Sequence, residues 1–111
     1  MPHYLFRFGF KDTTVKALTD KPQDRQAQAR QVIESFGGKM HGYWFMLGEY
    51  DGIVVTEFPD SVSAAAASLR VAASGAFTRF ETHTLLTPAE AQAAMQKVKD
   101  AGPGSYRPPG S

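Results

Sequence analysis

Gly48-Glu49-Tyr50-Asp51-Gly52 sets a phenol beside a carboxylate in a turn-forming stretch. Two readings are open. Gly48 supplies a positive-φ position and Asp51 can bond nearby backbone amides, so a requirement of shape accounts for both. Alternatively, Tyr50 and Asp51 stand at the mouth of a site as a hydroxyl donor and a carboxylate. Further along, Phe77, Arg79, Glu81, His83 and Leu85 alternate with Thr78, Phe80, Thr82, Thr84 and Leu86. If the first set faces an enclosed interior, Arg79, Glu81 and His83 form a polar cluster that Arg7 and Glu57 can join. Desolvated groups of that kind have shifted pKa values and can do acid–base work. If the set faces outward, it is a solvated edge. The catalytic candidates are therefore Tyr50, Asp51, Arg79 and His83.

His3, His41 and His83 are the histidines of the chain, and no pair has a spacing typical of metal ligands. The expectation is no cofactor, with haem or a metal ion at one histidine as the alternative. The chain has no cysteine, which excludes disulfides, thiolate nucleophiles and cysteine-bound metals. Pro2, if exposed as an N-terminal secondary amine, is the kind of base that tautomerases use. A net charge of +1 argues against nucleic-acid binding and polybasic membrane attachment. No segment approaches the roughly 20 apolar residues of a membrane span. These features together describe a soluble cytoplasmic protein without a nucleic-acid or membrane partner.

The elements that must position these groups follow from periodicity. Tyr4, Phe6, Phe8 and Phe10 alternate over residues 3–10, a strand signal. A short helical turn over Val15–Leu18 follows, then a longer helix with Pro22 as its first residue. That helix carries the stripe Ala29, Val32, Ile33 and Phe36 and ends at Gly37-Gly38. Residues 39–47 and Ile53–Phe58 read as a hairpin. A helix over Val62–Ser74 presents Val62, Ala65, Ala66, Leu69, Ala72 and Ala73 on one side. Residues 77–86 form the fourth strand. Thr87-Pro88-Ala89-Glu90 is a capping box for a last helix, with Ala91, Met95 and Val98 on one side. Residues 102–111 form a Pro/Gly-rich flexible tail behind a single domain of residues 1–101.

The order β-α-β-β-α-β folds into a four-stranded antiparallel sheet with its helices on one face, an α+β, ferredoxin-like arrangement with an added helix. Its other face, on the order of 400 Å² in plan, is left bare. A second copy packed sheet to sheet covers it better than the short last helix does, so a homodimer is expected.

The residues also carry a likeness. Gly37-Gly38-Lys39, Tyr43-Trp44, Leu47-Gly48-Glu49-Tyr50-Asp51 and Glu57-Phe58-Pro59-Asp60 resemble the GYD-domain family over about residues 1–90. The resemblance implies a ferredoxin-like domain that pairs into a dimeric α+β barrel, and it implies no established activity. Pocket logic within such a barrel makes Tyr4, Phe6, Phe8 and Trp44 the candidate lining for a small apolar or aromatic ligand. A cofactor-free monooxygenase or isomerase is one activity such a barrel supports. The alternative is a non-enzymatic self-assembling module whose tail, with Tyr106-Arg107-Pro108-Pro109, recruits a partner. An open interior separates the first from the second, which requires a filled one.

Overall fold

The computed structural model describes residues 1–104 and 106–110; Ser105 and Ser111 of the tail lie outside the described residues. The elements run β1 (His3–Phe10), α1 (Asp12–Asp20), α2 (Gln26–Ser35), β2 (Lys39–Phe45), β3 (Gly52–Glu57), α3 (Ser61–Ala72), β4 (Phe77–Leu85) and α4 (Pro88–Asp100). The four strands form one antiparallel sheet in the order β2-β3-β1-β4, which is the ferredoxin-like arrangement. β1 is central, so its alternation is read against two neighbours at once. Its even-numbered residues Tyr4, Phe6 and Phe8 are buried against the helices. Its odd-numbered residues His3, Leu5 and Arg7 lie on the face the helices leave open.

The core forms where aromatic rings from three segments meet under α2 and α3. Phe6 packs on Phe58 and Phe80, and Phe8 packs on Phe77 and Phe80, with centroids 5.4–6.0 Å apart. Such pairs add about 0.5–1.5 kcal/mol each beyond the area they bury. Phe58 and Thr56 are fully enclosed, and the Thr56 hydroxyl donates to the Tyr4 carbonyl, so the buried polar group is satisfied. Ile33 of α2 and Met40 at the start of β2 close one end.

Local signals at the helix ends differ in how well they fix the boundaries. Asp60 caps α3 by accepting from the Ser63 amide, and Thr87 and Glu90 form the full capping box of α4. By contrast, α1 spans Asp12–Asp20 and exceeds the short turn expected. α2 begins at Gln26, not at Pro22, because the Asp24 carboxylate accepts the Gln26 amide and supplies the first-turn partner there.

α3 presents a different stripe from the one periodicity suggests. Ala64 and Ala67 face the sheet, whereas Val62 and Leu69 are 79% and 70% exposed. The helix lies close to β4, where the Thr82 hydroxyl meets that of Ser68, and only small side chains fit beneath it. Large apolar residues are therefore displaced to the outer side.

α4 buries none of its residues, and Met95 and Val98 stand exposed. It does not fold across the open sheet face. The radius of gyration is 17.9 Å, against about 13 Å for a compact chain of 100 residues, so α4 and the tail project from the body. Among the described residues no helix is long and apolar enough to cross a membrane.

The packing of α3 is tested by paired substitutions under urea denaturation. Ala64→Leu is expected to cost about 1–3 kcal/mol by overpacking, and Leu69→Ala to stay within about 0.5 kcal/mol. The reverse ranking would restore the stripe inferred from periodicity.

Candidate functional site

A cavity of about 520 Å³ lies between the helix-side face of the sheet and helices α1, α2 and α3. Its walls are aromatic: Phe6, Phe8 and Phe10 of β1, Tyr43 of β2, and Phe77 and Phe80 of β4. Val32, Val71 and Leu18 complete the apolar lining. Gln23, Arg25, Gln28 and Arg70 also line the space and are exposed, so they mark its mouth. Among the described residues neither Arg25 nor Arg70 makes an ion pair; Arg25 donates to Gln23, and Arg70 rests over the Phe36 ring. Burial pushes the Tyr43 phenol up from its ordinary pKa, against the opposing pull of Arg25. Among the described residues its hydroxyl has no hydrogen-bond partner.

Tyr43 was missed by sequence reasoning, and the reason is a bulge. Met40 pairs with Thr56 and Gly42 with Val55, so His41 is an extra residue in β2. Strict alternation from buried Met40 would send Trp44 to the helix side. The inserted residue reverses the parity, and Tyr43 faces the cavity instead. Trp44 pairs with Ile53 on the open face and lies over Gly42, where any β-carbon would collide with the indole. The four residues expected to line one interior are thus divided. Phe6 and Phe8 line the cavity, Tyr4 is packed against Phe58 with its hydroxyl bonded to Ser61, and Trp44 lies on the opposite side of the sheet.

Of the catalytic candidates, Tyr50, Arg79 and His83 come together, on the open face. Glu81 is their hub. It accepts from the Tyr50 hydroxyl, from Arg7 Nη2 at 2.8 Å and from His83 Nε2 at 2.8 Å. A carboxylate so engaged only accepts, which places the His83 proton on Nε2. The Arg7 guanidinium stacks 3.9 Å from the Tyr50 ring centroid, and Arg79 lies 4.7 Å from the same ring while pairing with Glu49. Arg7 Nε is buried without a partner among the described residues. The hydrogen bonds from Tyr50, Arg7 and His83 hold the Glu81 carboxyl down at about 2. Donation to Glu81 pushes the Tyr50 phenol up. Neither group is poised to exchange protons near neutrality, so the cluster is a clamp that ties the β2–β3 turn to β1 and β4. Glu57 does not join it.

Asp51 points elsewhere. Its carboxylate accepts the Phe10 amide at 2.6 Å, and its own amide donates to the Phe8 carbonyl. With Gly48 at φ +131°, this is the conformational role: the turn is pinned to the end of β1 just where β1 and β4 shift register at Gly9/Phe10. Pro2 precedes β1 at the end remote from Phe10 and the cavity, which removes it as a base there.

A third group was invisible in the sequence. His3 Nε2 lies 3.0 Å and His41 Nε2 3.5 Å from the two oxygens of Glu57. Three strands supply one residue each, so no sequence spacing announces the cluster.

Comparison with known proteins places this geometry in context. The GYD domain model matches residues 4–95. Among solved structures, the chain is similar to 5-chloro-2-hydroxyhydroquinone dehydrochlorinase (TftG) from Burkholderia phenoliruptrix AC1100, in complex with 2,5-dihydroxybenzoquinone. That similarity has a TM-score of 0.55 at 10% identity and covers 78% of this chain and 96% of that one. An uncharacterized NIPSNAP domain protein from Burkholderia xenovorans matches with a TM-score of 0.47 at 14% identity, covering 80% and 96%. No curated protein matches at the sequence level. The first structural likeness establishes the fold.

The clamp has a pH signature. Because the folded Glu81 carboxyl titrates at about 2 instead of its ordinary 4.5, its contribution is present above the unfolded value and fades as pH falls through the folded one. Wild type is expected to lose more stability than Glu81→Gln between about pH 5 and pH 2 in urea titrations. Parallel pH profiles for the two proteins would refute the clamp.

Proposed function

The chain belongs to the GYD-domain family, and we propose that it is a homodimer whose protomers each bind a small aromatic molecule carrying an acidic oxygen. The observation that carries this reading is the aromatic-walled cavity between sheet and helices. Its volume of about 520 Å³ falls inside the range of about 300–1,000 Å³ usual for small-molecule sites. Protein interiors close-pack, so an open space of this kind suits an occupant better than it suits a self-assembling module with a filled interior. Stacked phenylalanines recognise a ring, the Tyr43 hydroxyl offers a donor and acceptor inside, and Arg25 and Arg70 offer cations to a carboxylate or phenolate at the mouth. The dihydroxybenzoquinone held by the similar dehydrochlorinase is a molecule of this class.

The same walls argue for binding over isomerase or monooxygenase chemistry. Among the described residues the lining contains no carboxylate and no imidazole. Tyr43, pushed up by burial, is no base near neutrality.

The dimer reading rests on the uncovered face. Leu5, Ile53, Val55, Trp44 and Leu85 lie together there, between the two polar clusters. A stable interface takes about 800 Å² from each partner. The sheet face alone is marginal by that measure, and the side of projecting α4 that carries exposed Met95 and Val98 supplies the remainder when it lies along the second copy.

Thermal-shift and calorimetric titrations with 2,5-dihydroxybenzoquinone and hydroxylated benzoates test the site. Stabilisation of wild type is expected, with no shift for Val71→Trp, which fills the cavity, and a loss of about 0.5–1.5 kcal/mol in affinity for Tyr43→Phe. A flat response of wild type to every ring would overturn the binding reading. Sedimentation at micromolar concentration is expected to give dimers for wild type and monomers for Ile53→Asp; a monomeric wild type would remove the dimer.

A further inference from the structure

We propose that His3, His41 and Glu57 form a binding site for a divalent first-row transition-metal ion on the open face of the sheet, separate from the aromatic cavity. The three residues come from three adjacent strands. His3 and Glu57 are direct partners in the β1–β3 ladder. Alternation from buried Met40 turns His41 to the open face, where it stands beside Glu57 as the unpaired residue of the β2 bulge.

The spacing suits a shared ion. One ligand atom from each of the three residues lies within 4.8 Å of the others. The His3 and His41 nitrogens stand 3.0 Å and 3.5 Å from the Glu57 oxygens. With metal–ligand bonds of about 2.1 Å, neighbouring ligand atoms are about 3.0 Å apart in an octahedron and about 3.4 Å apart in a tetrahedron. Both observed separations are of that size, each to a different oxygen of Glu57, as for a carboxylate that chelates. The two imidazole rings are stacked, with centroids 5.4 Å apart and planes 18° from parallel. A common ion requires each ring to pivot about its Cβ–Cγ bond, and side chains that are 33% and 36% exposed have room to do so.

The donor set decides the class of ion. Two imidazoles and one carboxylate favour zinc, iron(II), cobalt or nickel over calcium and magnesium, which take oxygen ligands. Three protein ligands leave at least one position for water or for a donor from another molecule. The surrounding charges are mixed. Lys39 pairs with Glu57 across the β2–β3 ladder, while Glu90 and the N-terminal amine interact electrostatically near His3. The Glu90 carboxylate is already committed to the Thr87 amide and is not counted as a ligand.

The test is cobalt(II) and zinc titration of the full chain, prepared without a polyhistidine tag. Expected are one ion per chain, visible d–d bands on cobalt binding, their loss when zinc displaces cobalt, and perturbed imidazole NMR signals of His3 and His41. His41→Gln and Glu57→Gln are each expected to weaken binding by about a hundredfold or more, beyond the loss typical of an outer-shell partner. His83→Gln, in the other cluster, is expected to bind as wild type does. Circular dichroism checks that each variant folds; should Glu57→Gln not fold, His41→Gln on the exposed bulge carries the test. Absence of cobalt bands at millimolar metal, or equal affinity in wild type and His41→Gln, would overturn the site.

Discussion

The alternation of β1 between its two neighbours is the constraint from which the rest follows. β3 and β4 hold the strand on both sides, so its register fixes theirs. Burying a phenylalanine is worth about 1.5–3 kcal/mol, and Phe6 and Phe8 add ring contacts with Phe58, Phe77 and Phe80. A slip of one residue would put those rings in water and Arg7 under the helices. The hydrophobic term therefore selects a single register. The polar residues of the opposite face then have no choice of position.

That selection divides the chemistry of the molecule by face. The helix side is aromatic and almost free of titratable groups, while the open side concentrates histidines, arginines and glutamates among a few aliphatic residues. The Gly48–Asp51 turn joins the two. Tyr50 reaches across the open face to Glu81, and Asp51 holds the backbone of β1 at Phe10, whose ring lines the cavity. The turn thus acts as a brace between loop and sheet, with one residue serving each direction.

Charges on the open face are neutralised locally. Arg7, His83 and Tyr50 surround Glu81, Arg79 pairs with Glu49, and His3 and His41 share Glu57. The Glu81 carboxyl, held down by the donors around it, serves anchoring better than proton transfer. Binding energy for a ring-shaped ligand has to come from the other face, where dispersion and burial act without competition from charge.

Sequence alone determined the order of strands and helices along the chain, the caps at Asp60 and Thr87, the bare sheet face and the likeness to the family, because each depends on local periodicity or on residues adjacent in the chain. The shape-bound role of Asp51 was also legible as one of two readings. Tertiary structure decided which face each strand presented, since a single inserted residue at His41 reversed the parity of β2 and exchanged Tyr43 for Trp44 at the cavity. It decided that alanines, not Val62 and Leu69, meet the sheet, because the closeness of helix to sheet is not encoded in side-chain periodicity. It also brought His3, His41 and Glu57 to one place: contacts between strands depend on register and bulges, which hydrophobic packing sets across the whole sheet and no local stretch of sequence contains.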